Sequence, residues 1–141
     1  MAGMSDYLET QLINHMFRTS SYTKPSTLTI ALCVSAPSDL DTTLAGKEVA
    51  NSGSYARVAL DPDDSNWADT DGADGETSNS SIITFAAPSG NWGTVSHFAI
   101  CDSATYNGGN MLFYAALNSP VAITSGLSVS FNIGDLTISL N

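Results

Sequence analysis

Few side chains in this sequence are of types that do acid, base, nucleophilic or metal chemistry. The histidines are His15 and His97, and the cysteines are Cys33 and Cys101. His97, Ala99 and Cys101 follow one another at intervals of two, which puts all three on one face of an extended strand. Positions i and i+4 of a strand are ~13 Å apart, too far for an imidazole to take a thiol proton, so an activated Cys–His nucleophile is not expected. His97 reads as a half-buried histidine, and Cys33 and Cys101 as small buried thiols; a disulfide needs close Cα atoms, which spacing does not establish. The sequence has no G-x-S-x-G, H-E-x-x-H, Walker loop or dinucleotide fingerprint. Gly108–Gly109 has no strand-to-helix context and reads as a hairpin turn between TVSHFAICD and NMLFYAAL. No catalytic residues and no cofactor are expected, and the chain reads as a non-enzyme.

The remaining candidate for chemistry is an acidic segment, 61–79, DPDDSNWADTDGADGETSN. It holds Asp61, Asp63, Asp64, Asp69, Asp71, Asp74 and Glu76, half of the 14 acidic residues. Asp-rich loops can supply the oxygens that calcium favours, but the twelve-residue calcium loop needs Gly at its sixth position and Glu at its twelfth. Counted from Asp61 those positions are Asn66 and Gly72, and counted from Asp69 the sixth is Asp74. Both registers fail. A solvated, self-repelling loop without a specific metal is the expectation, and its removal is expected to leave the fold standing.

Charge narrows the partners. Against 14 acidic residues stand 4 basic ones, for a net charge of −10. No basic patch exists to neutralise phosphates, and an anionic membrane surface would repel the chain, so neither nucleic acid nor membrane is expected as a partner. The opening MAGMSDYLETQ lacks the charged and apolar regions of a secretion signal, which points to synthesis in a cytoplasm. Charged residues make up only 13%, about half the usual ~25%, so Ser, Thr, Asn and Gly must build the polar surface.

These features need elements to hold them. The 141 residues suit one domain over 1–141. A helix is predicted over 5–19, with Ser5 as N-cap, Asp6 and Glu9 at its positive end and Arg18 at its negative end. It places Leu8, Leu12, Ile13, Met16 and Phe17 on one face, and Glu9, Gln11, Asn14 and Arg18 on the other. Thereafter the period is two. TLTIALCVS, SYARVAL, SIITFAAP, TVSHFAICD, NMLFYAAL, PVAITS, LSVSFNI and DLTISL read as about eight short strands separated by turn residues, the pattern of an antiparallel sandwich or barrel. Leu28, Ile30, Leu32, Ile83, Phe85, Phe98, Ile100, Phe113 and Phe131 are the predicted core. Segments 35–53 and 61–79 are predicted as long loops.

The opening SDYLETQLINHMFRTSSYTKPSTLTIALCVSAPSD, the block EVANSGSYARVAL, the strand and hairpin NWGTVSHFAICDSATYNGGNMLFYAAL and the closing LSVSFNIGDLTISL together resemble a family of small virion proteins of tailed phages. The resemblance spans nearly the whole chain apart from the acidic residues 61–76. Members of that family are described as capsid cement (decoration) proteins or as tail-fibre proteins. The resemblance implies a jelly-roll-like β-sandwich with one N-terminal helix, without catalytic residues. In its segments Tyr55 and Arg57 are expected to alternate outward, with Arg57 pairing an acidic neighbour.

The expected function is therefore adhesive: a cement protein that binds the major capsid protein on the outer capsid surface and associates with itself as a dimer or trimer. A tail or tail-fibre component touching other tail proteins or the host surface is the alternative. A sugar binder would draw on Trp67, Trp92 and Tyr106, and a hydrolase lacks paired carboxylates at strand ends outside the acidic loop. Tyr7, Leu12, Met16, Phe17 and Trp92 are the expected interface anchors.

Overall fold

The computed structural model describes residues 2–70 and 75–140. Its elements are β1 (Gly3–Met4), α1 (Asp6–Phe17), β2 (Thr29–Cys33), β3 (Val58–Ala59), β4 (Glu76–Ser78), β5 (Ile83–Thr84), β6 (Gly93–Cys101), β7 (Met111–Ile123), β8 (Ser130–Phe131) and β9 (Thr137–Ser139). Every pairing among them is antiparallel. One sheet runs β1-β7-β6-β2-β3, and two ribbons, β4-β9 and β5-β8, complete the strands. The fold is thus an all-β antiparallel sandwich with an N-terminal helix.

Period-two alternation gives the five-stranded sheet two faces. Ile30, Leu32, Val95, Phe98 and Ile100 join Ile83, Phe85, Leu136 and Ile138 of the ribbon side in the larger core. Phe85 meets Trp92 and Phe131 edge-on at 6.3 Å and 6.4 Å, and Phe131 meets Phe98 at 5.9 Å. Leu28, Phe113 and Phe131 sit at the margin of this core, partly buried. On the reverse face Ala31, Cys33, Ala99, Cys101 and Met111 pack with Leu44. β2 is therefore buried along its whole length, whereas strict alternation would leave one face wet.

Segment 35–53 is less a free loop than a cover for that second face. Leu44 is fully buried in that second cluster and Val49 in the larger core, and Glu48 forms a bridge with Cys33. Residues 47–49 fill the outer edge of β2 where β3 ends: Val34 N–H donates to Lys47 O and Val49 N–H to Leu32 O, both at 2.9 Å.

The expected pair of strands NMLFYAAL and PVAITS is one long strand, β7, with an interruption. Val95 pairs with Val121 and His97 with Ala116, so residues 117–120 oppose Ser96 alone. Pro120 lies in this excursion, where it forfeits no ladder hydrogen bond. The turn signals were real, but they mark a bulge within a strand.

The segment 61–79 also differs from the expected loop. Its end, Glu76–Ser78, is β4, registered on β9 through Thr77 and Ile138. Trp67 packs on the core, donates from Nε1 to Leu60 O at 3.2 Å and bridges to Asn79. Asn79 is fully buried. Its Nδ2 donates to Ser81 O and Asn132 O at 2.8 Å, and its Oδ1 accepts from Leu136 N–H at 2.9 Å. Removing 61–76 would take a core tryptophan and the first residue of β4, so the segment is not detachable. Residues 71–74, with Asp71 and Asp74, lie outside the described residues.

Candidate interaction surface

The densest polar constellation is an interior one. Glu48 Oε1 accepts from Tyr55 Oη at 2.9 Å and Arg57 Nε at 2.8 Å; its Oε2 accepts from Arg57 Nη2 at 2.8 Å and Asn107 N–H at 3.1 Å. Arg57 Nη1 donates to Ser103 O and Gly108 O at 2.7 Å and 3.0 Å, and Tyr55 Oη accepts from Leu32 N–H at 3.0 Å. Both side chains of the ion pair are almost wholly out of water. Tyr55 and Arg57 thus point inward, against the expected outward alternation. The reason is local: residues 55–57 precede β3 and belong to no strand, so period two does not apply to them. The pairing of Arg57 with a carboxylate does occur, and Glu48 is the partner. Burial, followed by the Glu48 charge, pushes the Tyr55 hydroxyl well above its ordinary range. Burial works against the Arg57 charge, but the bonds to Glu48 carry its pKa above the usual value. The cluster ties the β2–β3 connection to the β6–β7 connection, and Asn107 Oδ1 is its one buried polar atom left without a partner among the described residues.

His97 and Cys101 stay apart as expected, but the register sets His97 opposite Cys33 of β2. Cross-strand neighbours come from distant stretches of sequence, so spacing along one strand could not reveal this pair. It holds no activated nucleophile: burial, then Cys101, pushes the Cys33 thiol up to about 12, and His97 Nδ1 is engaged with Ser96 Oγ at 2.8 Å. Cys101 is likewise pushed up to about 12 by burial. Both thiols are free and buried.

Beside the acidic segment lies a groove of about 640 Å³. Trp67, Leu28, Ile100, Phe113 and Ile138 line it, and the exposed carboxylates of Asp63, Asp64, Asp69 and Glu76 stand around it. Asp63 accepts from Ser65 N–H at 2.8 Å and from Asn66 Nδ2 at 2.9 Å, and the bonds to Ser65 lead in drawing its pKa below the ordinary carboxylate range. Among the described residues no three His, Cys, Asp or Glu side chains converge as a metal site would require.

The helix supplies the opposite kind of surface. Its N-terminus is fastened: Ser5 Oγ accepts from Leu8 N–H at 3.3 Å and donates to Met111 O at 2.6 Å, while Ser5 N–H donates to Leu112 O at 3.0 Å. Leu8 is buried, and Tyr7 and Leu12 are half-buried. Beyond that first turn the apolar stripe leaves the sheet. Ile13 is 57% exposed, Met16 71% and Phe17 81%.

Of the five expected anchors, the structure brings Tyr7, Leu12, Met16 and Phe17 onto this one helix and removes Trp92 from the surface. Trp92 is 4% exposed; its ring meets Tyr55 edge-on at 5.2 Å, and its Nε1 donates to Gly53 O at 2.8 Å. Trp92 is a core anchor because both its apolar body and its polar tip find partners inside. The groove was missed, since strands far apart in sequence build it. Only Trp67 within an acidic run signalled it.

No curated protein matches the chain. A family model described as "Podophage GP4 fiber I protein gp80" matches residues 3–139. The resemblance to tailed-phage virion proteins therefore holds at the level of family. The chain belongs to the podophage GP4 fiber I protein gp80 family and is, at that level, a phage virion structural protein.

Proposed function

We propose that this protein is a non-catalytic building block of the phage fibre, acting through contacts with further copies of itself and with neighbouring virion proteins. The observation that carries this reading is the exposed apolar stripe Ile13, Met16 and Phe17. A clustered apolar patch on a chain with little charge outside one segment is the mark of a protein contact. The family name supports the fibre as the location. The buried Glu48–Arg57 cluster and the protonated buried thiols argue for structural work over catalysis. A net charge of −10 argues against contact with the packaged genome.

Reinforcement of the capsid from its outer surface, by binding the major capsid protein, is the second reading. It draws on the same stripe and the same acidic surplus. Gold-labelled antibodies against this chain, imaged on purified particles by electron microscopy, test both. Label on the fibre is the expected result; label spread over the shell would overturn the fibre reading and install the cement role.

A further inference from the structure

We propose that the C-terminal end of α1 on one copy, led by Phe17 and Arg18, seats in the Trp67 groove of a second copy. The inference rests on the reading that this chain works by protein contact, and it names the partner and the two surfaces.

Charge identifies the occupant. Of the 4 basic residues, Arg57 is buried on Glu48 and Lys47 is paired with Asp41. Among the described residues, that leaves Arg18 and Lys24 without a carboxylate. Lys24 donates to Pro62 O at 3.4 Å and so lies at the edge of its own copy's groove. Arg18 follows Phe17 directly at the helix end. The groove reverses this chemistry: an apolar floor under Trp67, with Asp63, Asp64, Asp69 and Glu76 around it. A cation next to a large apolar ring matches an apolar groove ringed by carboxylates.

Size and orientation agree. A volume of about 640 Å³ lies within the ~300–1,000 Å³ of ordinary binding pockets, and an aromatic residue entering such a pocket is the usual energetic centre of an interface. Phe17 is 81% exposed, so the helix does not fill the groove of its own copy. At a net charge of −10 two copies repel in most orientations, and an approach that brings Arg18 to the acidic groove is one they favour. Because the two surfaces are different patches, the contact is head to tail, and it closes into a ring or runs on as a filament according to the rotation between copies.

The test uses the full chain and analytical ultracentrifugation across a concentration series. Self-association is expected. Phe17→Asp and the double variant Asp64→Lys/Asp69→Lys should each weaken it at least ~10-fold, with circular dichroism spectra and melting unchanged. Mixing the two variants should restore a one-to-one dimer, since one carries an intact groove and the other an intact helix. Arg18→Glu combined with Asp64→Lys/Asp69→Lys should recover association within a single chain. Three results would overturn the proposal: a wild-type chain that stays monomeric, variants that associate like wild type, or a mixture that stays monomeric. A monomeric chain that still labels the fibre would sink this contact and leave the functional reading intact.

Discussion

The Glu48–Arg57 cluster and the end of α1 treat the same physical constraint in opposite ways. Inside, each nitrogen of the Arg57 guanidinium donates to an acceptor, and the ion pair is sealed from water. Outside, Met16 and Phe17 leave most of their apolar surface in water. Buried ion pairs contribute little net stability but are very costly to break, so the first region fixes the β2–β3 connection against the β6–β7 connection. Exposed apolar surface contributes nothing to the lone chain and becomes favourable when something covers it. The difference teaches that polar residues can define a fold while large apolar ones stay at its surface.

Breaking the interior should do the most damage. Glu48→Ala leaves the Arg57 guanidinium buried and uncompensated, and should cost about 3–5 kcal/mol in denaturant unfolding. Replacing both partners, Glu48→Leu with Arg57→Met, should recover much of that loss, which sharpens the claim that the pair specifies geometry more than it stabilises. Phe98→Ala, which empties a site in the aromatic row, should also cost about 3–5 kcal/mol if the core cannot collapse; an unchanged melting midpoint would mean that the core had been misjudged.

Asn79 repeats the interior strategy on a smaller scale. Asn79→Ala strands the Leu136 N–H and the carbonyls of Ser81 and Asn132, and should cost about 1–3 kcal/mol, read from the same unfolding curves.

Alkali probes the interior without mutation. Cys33, Cys101 and Tyr55 have raised pKa values in the fold. The folded chain keeps these protons where the unfolded chain loses them, so their contribution is full below ~pH 9 and declines as pH climbs through about 12. Melting temperature should fall over that window, and Cys33→Ala with Cys101→Ala should flatten the fall. At the helix end the effect on stability should be smallest. Phe17→Ser should leave unfolding within about 0.5 kcal/mol of wild type, while removing the ring that the proposed contact between copies would use. A large loss there would show that the stripe supports the fold.

Legibility followed the same division. Local signals read true: Ser5 does cap α1, the period of two found β2 and β6, and the turn residues at 118–120 located a real break in β7. What escaped depended on contacts distant in sequence or on the limits of a strand. The outward assignment of Tyr55 and Arg57 carried the alternation of β3 three residues too far upstream. Arg57 amid apolar neighbours in a chain with few cations did call for a carboxylate, but nothing nearby marks Glu48 over the other acids. Trp92 was expected as an interface anchor and Asn79 only as the end of the 61–79 loop; both are buried, with their side-chain N–H groups met by the carbonyls of Gly53, Ser81 and Asn132. The helix stripe was visible at once; which of its residues the sheet would keep was not, because that depends on where β7 lies: Leu8 is buried, whereas Met16 and Phe17 stand clear.

The two outer strands of the main sheet, β1 and β3, are only two residues long, and the part of β7 that β1 leaves uncovered carries the kinked stretch 117–120 with its proline. The folded chain therefore presents scarcely any straight run of free backbone donors and acceptors along the edges of this sheet. Proteins produced in many copies at once are exposed to indiscriminate strand addition and amyloid-like clumping. At these edges that route is largely denied, so any association between copies would have to come from side chains.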